Sequence, residues 1–262
     1  MYLELPILFF AGFFGGVLNS IAGGGTFITF PALIFVGLPP IIANATNTFA
    51  SCFGYLSGTY AFRRDLVAHK SEILKLIFIG IIGGTVGAWL LLQTSEHDFQ
   101  NVIPWLLTFA TIIFITGNYI NIKIRDFAKK HKIASHVGTI ATIVLLFGIC
   151  IYGGFFNAGL GIIALSYLAL AGYQNLNTMN GLKLLLSVCV SIAAIILFAF
   201  NDSIAWAQGL AVLLGTLSGG YLAARISRYL PQNYIKTFIT LIATLVTTFF
   251  FYEVYFLKSQ NT

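Results

Sequence analysis

Apolar positions along the chain fall into ten runs: 5–22, 26–37, 41–62, 73–93 and 102–121, then 137–156, 160–172, 178–200, 204–223 and 234–257. Crossing a bilayer takes about 20 residues of helix. The second and seventh runs fall short of that, and their length predicts half-helices or tilted short spans. Each follows a glycine cluster, Ala22-Gly23-Gly24-Gly25 before the first and Asn157-Ala158-Gly159-Leu160-Gly161 before the second.

Five runs followed by five of matching length predict an internal repeat. Phe14-Gly15-Gly16-Val17-Leu18-Asn19 superposes on Tyr152-Gly153-Gly154-Phe155-Phe156-Asn157 at an offset of 138, both reading aromatic-Gly-Gly-x-x-Asn. Gly37 matches Gly172 at an offset of 135, so the first copy holds about three extra residues around Gly23–Gly25. The expected units are residues 1–121, a linker over 122–136, and residues 137–262, within one membrane domain.

Composition places these runs in lipid. The chain of 262 residues is 58% hydrophobic and 8% charged, against a usual charged share of about a quarter. So few charges cannot coat a soluble globule. The net charge of +6 does not indicate nucleic acid, because the cations cluster between runs. Arg63, Arg64, Lys70 and Lys75 flank one loop. Lys123, Arg125, Lys129, Lys130 and Lys132 fill the central one, and Arg225, Arg228 and Lys236 flank a third. The positive-inside rule assigns all three to the cytoplasm. The intervening loops carry Glu96, Asp98 and Asp202 and no Lys or Arg. Tracing the chain through this assignment sends run 41–62 inward and its counterpart 178–200 outward. The halves are then inverted and both termini lie outside. No positive stretch precedes Arg63, so a cleaved secretory signal is not expected. Cys52, Cys150 and Cys189 lie in apolar runs, without the spacing of a disulfide framework or zinc site, and read as packing residues.

An inverted repeat with paired broken helices is a plan of secondary carriers, whose site lies near the midplane. A half-helix N-terminus offers free N–H groups and partial positive charge to an anion. The competing reading of the glycines is close helix packing. Asn19 and Asn157 occupy matching positions beside the breaks, and Asn44-Ala45-Thr46-Asn47-Thr48 opens the third run. These groups suit oxyanions, or alternatively helix capping, for which Asn44 and Asn177 are the candidates. Lys183 lies inside an apolar run. A membrane-buried cation costs at least ~2.5–3.5 kcal/mol at a helix centre, so it either pairs with an anion in a cavity or snorkels to the interface. The candidate substrate-binding set is Lys183, Asn47, Thr46, Asn19, Asn157, Gly23, Gly24, Gly25, Gly159 and Gly161. No Walker motif, His-Glu-x-x-His or Gly-x-Ser-x-Gly occurs, nor an acidic pair within a run. Neither cofactor, metal nor catalytic residue is expected, and the chain is not read as an enzyme.

At this point the residues resemble a known family. Ser20-Ile21-Ala22-Gly23-Gly24-Gly25, Pro31-Ala32-Leu33, Gly37-Leu38-Pro39-Pro40 and Ala45-Thr46-Asn47 are similar to the first repeat of the TauE/SafE family. Gly153-Gly154-Phe155-Phe156-Asn157-Ala158-Gly159-Leu160-Gly161, Leu170-Ala171-Gly172-Tyr173 and Lys183 are similar to its second. The resemblance implies a permease for small sulfur-containing anions such as sulfite, sulfoacetate or sulfonates. Some relatives have Lys where this chain has Thr48, and some have His where it has Gly181.

The expectation is an all-α polytopic membrane protein of two inverted repeats, each a Gly-rich broken or short helix pair followed by three membrane helices. It is a multi-pass protein of a bacterial inner (plasma) membrane. Its partners are lipid and a small anionic substrate, with no nucleic acid. A coupled proton or ion and a homo-oligomer remain open. A passive anion channel is the alternative, followed by a membrane enzyme or an assembly subunit.

Overall fold

The computed structural model describes residues 3–22, 24–130, 136–226 and 232–257. Its elements are helical throughout among these residues. They are α1 (Glu4–Ala22), α2 (Thr26–Phe35), α3 (Pro40–Ala61), α4 (Arg63–Leu66), α5 (Lys70–Gln93), α6 (Glu96–Lys130), α7 (His136–Phe155), α8 (Leu160–Leu170), α9 (Leu176–Phe200), α10 (Trp206–Ile226) and α11 (Gln232–Tyr252). The two short runs are helices of ten and eleven residues. Three stretches, Arg63–Gln93, Glu96–Gly117 and Leu176–Phe200, are long and apolar enough to cross a membrane among the described residues. α3 has the length but not the hydropathy, because Asn44, Thr46, Asn47, Thr48 and Ser51 occupy its first half.

Local chemistry sets the boundaries. Pro40 opens α3, where its fixed φ suits a first helical turn and its missing N–H costs nothing. Asn175 caps α9, its side-chain oxygen accepting from the N–H of Asn177 at 2.9 Å and of Thr178 at 3.2 Å. Asn177 is thus inside the first turn rather than the cap. Both short helices end in a left-handed glycine, Gly37 at φ 90° and Gly172 at φ 94°. Gly37 N–H donates to Ile34 O and Leu38 N–H to Leu33 O. In the second half Gly172 N–H donates to Ala169 O and Tyr173 N–H to Leu168 O. These are the paired closing bonds of a glycine C-terminal motif, and they recur at the offset of 135 that separates Gly37 from Gly172.

Packing between helices follows glycine. A Cβ on Gly16 of α1 would overlap the backbone carbonyl of Thr216 in α10, and one on Gly154 of α7 would overlap that of Gly84 in α5. Likewise Gly219 lies on the carbonyl of Phe13, and Gly87 on that of Ile151. α1 therefore runs beside α10 and α7 beside α5, backbone against backbone, as small residues permit in membranes. Gly58 of α3 meets Leu184 of α9, while Gly181 of α9 meets Phe62 and Leu66, so these two helices are antiparallel.

The core surrounds the breaks. Phe30, Phe99 and Phe156 are fully buried, with Phe30 and Phe156 edge to face at 5.5 Å between centroids. Phe10, Phe78, Trp89, Trp105, Ile112, Val144, Leu214 and Leu245 are exposed, an apolar coat that suits acyl chains. The three cysteines are free and buried. One difference from the expected layout is the linker: α6 continues through Lys123 and Arg125 to Lys130, 35 residues in all. Cations at the C-terminal end of a helix are favoured by its dipole, so the charged segment extends the helix instead of breaking it.

Candidate functional site

Two half-helices begin inside the molecule without a side-chain cap. α2 starts after Gly25 and α8 after Gly159, whose φ of 76° turns the chain out of α7. The first turns close on backbone carbonyls, Phe27 and Ile28 N–H donating to Gly24 and Gly25 O, and Leu160 and Ile162 N–H to Asn157 and Gly159 O, and each start keeps the partial positive charge of a helix N-terminus. Polar side chains of α3 and α9 are set beside these starts.

At the first break, the Thr29 hydroxyl donates to Asn47 Oδ1 and lies 3.2 Å from the Gly25 carbonyl. Asn47 is fully buried, and its Nδ2 has no hydrogen-bond partner. One turn earlier, Asn44 Nδ2 donates to the Phe155 carbonyl at 2.9 Å, leaving buried Asn44 Oδ1 without a partner. Gly24 and Gly25 are buried. A Cβ on Gly25 would meet the Gly15 carbonyl and the Asn19 side chain. Gly23 lies outside the described residues.

At the second break, half-buried Lys183 runs past α8. A Cβ on Gly161 would lie 3.4 Å from Lys183 Cδ, an ordinary contact. The lysine Nζ donates to Asn180 Oδ1 at 3.2 Å. No carboxylate pairs with it among the described residues. A cation beside the positive end of a helix is electrostatically unfavourable. An anion placed between them would relieve both.

Asn157 joins the halves between these places. Its Oδ1 accepts from Tyr55 OH at 3.0 Å, and its Nδ2 donates to Ser191 Oγ at 3.2 Å. It is 2% exposed, and its partners tie α3 to α9. Half-buried Asn19 faces α3, with Nδ2 3.9 Å from the Cβ position of Gly54. Thr46 points elsewhere: its Oγ1 accepts from the Ala205 N–H at 3.0 Å, at the start of α10.

The candidate residues therefore do not form one cluster. Gly58 is level with Leu184, the residue after Lys183. Asn47 lies eleven residues earlier on α3, about 16 Å at 1.5 Å per residue. There are two stations, Lys183 with Gly161 and Asn180, and Asn47 with Thr29 and Gly25, with Asn157 between. Sequence reasoning passed over Thr29, Tyr55 and Ser191. Extending the repeat along α3 and α9 would have found the last two: an offset of 136 pairs Asn44 with Asn180, Asn47 with Lys183, and Tyr55 with Ser191.

Comparison with known proteins gives a consistent result. The chain is 27% identical over 254 residues to "Probable membrane transporter protein YfcA" of Escherichia coli strain K12, covering 96% of this chain and 91% of that one. It is 26% identical over 256 residues to "Probable membrane transporter protein" of Haemophilus influenzae strain Rd, covering 95% of each. A third relative, "Probable membrane transporter protein ORF9" of Sinorhizobium sp, is 28% identical over 240 residues, 91% of this chain and 89% of the relative. No solved structure matches it significantly. The family profile described as sulfite exporter TauE/SafE matches residues 8–250, and the chain belongs to that family of membrane transporters.

Proposed function

We propose that the protein is a secondary carrier of small oxyanions, sulfur-containing ones such as sulfite, sulfoacetate or sulfonates, in a bacterial inner membrane. The observation that carries this reading is Lys183, unpaired with any described carboxylate and lying against the first turn of uncapped α8. The lysine stem passes the N-terminal turn of α8, and a fixed cation together with a helix N-terminus suits an anionic partner. Snorkelling to the interface would not require the side chain to lie along that turn.

Residues 1–121 and 137–262 are the two inverted repeats in this reading. Several contacts support it. Exchanging halves turns Gly16 on Thr216 into Gly154 on Gly84, and Gly219 on Phe13 into Gly87 on Ile151. The equivalent helices α3 and α9 run antiparallel, as inversion requires. With the basic segments inside, Lys183 lies toward the cytoplasmic end and Asn47 toward the outer end, and both termini are outside. The inner station is half-open, whereas Asn44 and Asn47 are closed over.

Flux into proteoliposomes tests the reading. Labelled sulfite uptake should saturate, and unlabelled sulfite inside should accelerate it, because a carrier reorients faster when loaded. Uptake that stays linear with concentration and shows no acceleration would favour a channel. No protein-dependent sulfite or sulfonate flux would remove the substrate class.

A further inference from the structure

The paired orphan atoms at the first break say more than that an anion is attracted. Asn44 Nδ2 is committed to a backbone carbonyl, which only accepts, so the orientation of that amide is fixed and its free atom is the acceptor Oδ1. Asn47 is three residues on, on the same face of α3; with the Thr29 hydroxyl donating to its Oδ1, its free atom is the donor Nδ2. Both side chains are at least 99% buried. An unsatisfied polar atom in such a place costs about 1–3 kcal/mol, so two together call for a ligand.

The surroundings repeat the polarity. Asn47 is anchored through Thr29 to the first turn of α2, the positive end of a ten-residue helix. Asn44 is anchored to Phe155, the last residue of α7, the negative end of a helix. A ligand between them meets donors on one side and acceptors on the other. The buried polar and charged residues include no Asp, Glu, Lys or Arg among the described residues. We propose that this station, distinct from the one at Lys183, binds a singly protonated oxyanion, its charged oxygen facing Asn47 and the start of α2 and its O–H donating to Asn44 Oδ1. This rests on the anion-carrier reading and narrows its cargo to anions that keep an O–H, such as hydrogensulfite, ahead of simple sulfonates. With no buried carboxylate among the described residues to ferry a proton, the proton crosses attached to the anion.

Two monoanions of similar shape separate the alternatives: hydrogen methylphosphonate carries an O–H and methanesulfonate does not. Their binding to the purified full-length protein in lipid nanodiscs is measured by calorimetry, at a pH where methylphosphonate has one charge, with sulfite as reference. Hydrogen methylphosphonate should bind at least about tenfold more tightly, since a buried acceptor left unpaired rejects the analogue lacking the donor. Lys183 donates to both alike, so the ratio reports on Asn44. Asn44→Leu should bring the ratio to near one by weakening the phosphonate, and Asn47→Leu should weaken both. Equal affinities in the unmodified protein, which need no variant to fold, overturn the proposal while leaving an anion carrier. A ratio that survives Asn44→Leu also overturns it. If none of the three anions binds, the carrier reading falls and this proposal with it.

Discussion

A lysine within a membrane helix is tolerated only where something compensates it, and Lys183 has just one described neutral partner, Asn180. Lys183→Met keeps the side-chain length, removes the charge and eases burial. Insertion and folding should be unchanged, while sulfite uptake into proteoliposomes should fall at least about tenfold, the loss expected when one charge-assisted bond worth about 1.5–3 kcal/mol is removed. Lys183→Arg should retain more activity, although its planar fork is a poor match for a compact site. Uptake by the methionine variant at the normal rate would leave snorkelling as the explanation. Lys183 was legible in the sequence because a charge stands out in an apolar run. Which way Asn44, Thr46 and Asn47 point was not. In a helix whose lipid-facing and core-facing sides are both apolar, hydrophobic periodicity carries little information about rotation. Only packing reveals that Thr46 turns to α10 and Asn47 to α2.

Among the elements, the breaks were legible and their mechanics less so. The glycine clusters and short runs marked α2 and α8, but the sequence does not distinguish Gly159 from Gly161. The structure does: Gly159 holds φ 76° and Gly161 has ordinary helical geometry. A left-handed conformation costs a non-glycine residue about 1–2 kcal/mol, and a Cβ there would also press on Ala110 at 3.3 Å. Gly159→Ala should therefore lower the thermal midpoint of the detergent-solubilised protein by several degrees and reduce transport. Gly161→Ala, whose Cβ meets only the lysine stem, should leave the midpoint unchanged. Equal midpoints for the two variants would mean that α8 can start by another route. The extended α6 was missed for a different reason: a cluster of cations reads as a loop, yet Lys and Arg are good helix formers.

For the whole molecule, orientation rests on charge placement alone, and the buried native cysteines make it measurable. Single cysteines at 98 and 202 should react with a membrane-impermeant maleimide in intact cells, and one at 130 only after permeabilisation. Cys52, Cys150 and Cys189 are buried and should contribute little background. Labelling of 130 from outside would reverse the tracing and move the half-open Lys183 station to the external face. Run lengths and order anticipated the all-helical fold and the two short helices α2 and α8. The interleaving of the halves was not visible, because glycine seams record that a helix packs closely and not which helix it meets.

That interleaving has a consequence for biogenesis. The glycine face of α1 rests on α10, and Gly12 and Gly16 meet residues 212 and 216. A ribosome adding ~5–20 residues per second therefore leaves α1 in the bilayer for roughly ten to forty seconds before its partner is made. During that interval its small-residue seam is exposed to lipid and to quality-control proteases. Expressed alone, residues 1–121 should be unstable in a pulse-chase, and co-expression of residues 137–262 as a second chain should restore them. Equal lifetimes with and without the second chain would show that the first half matures on its own, leaving α10 to dock later on a seam already settled.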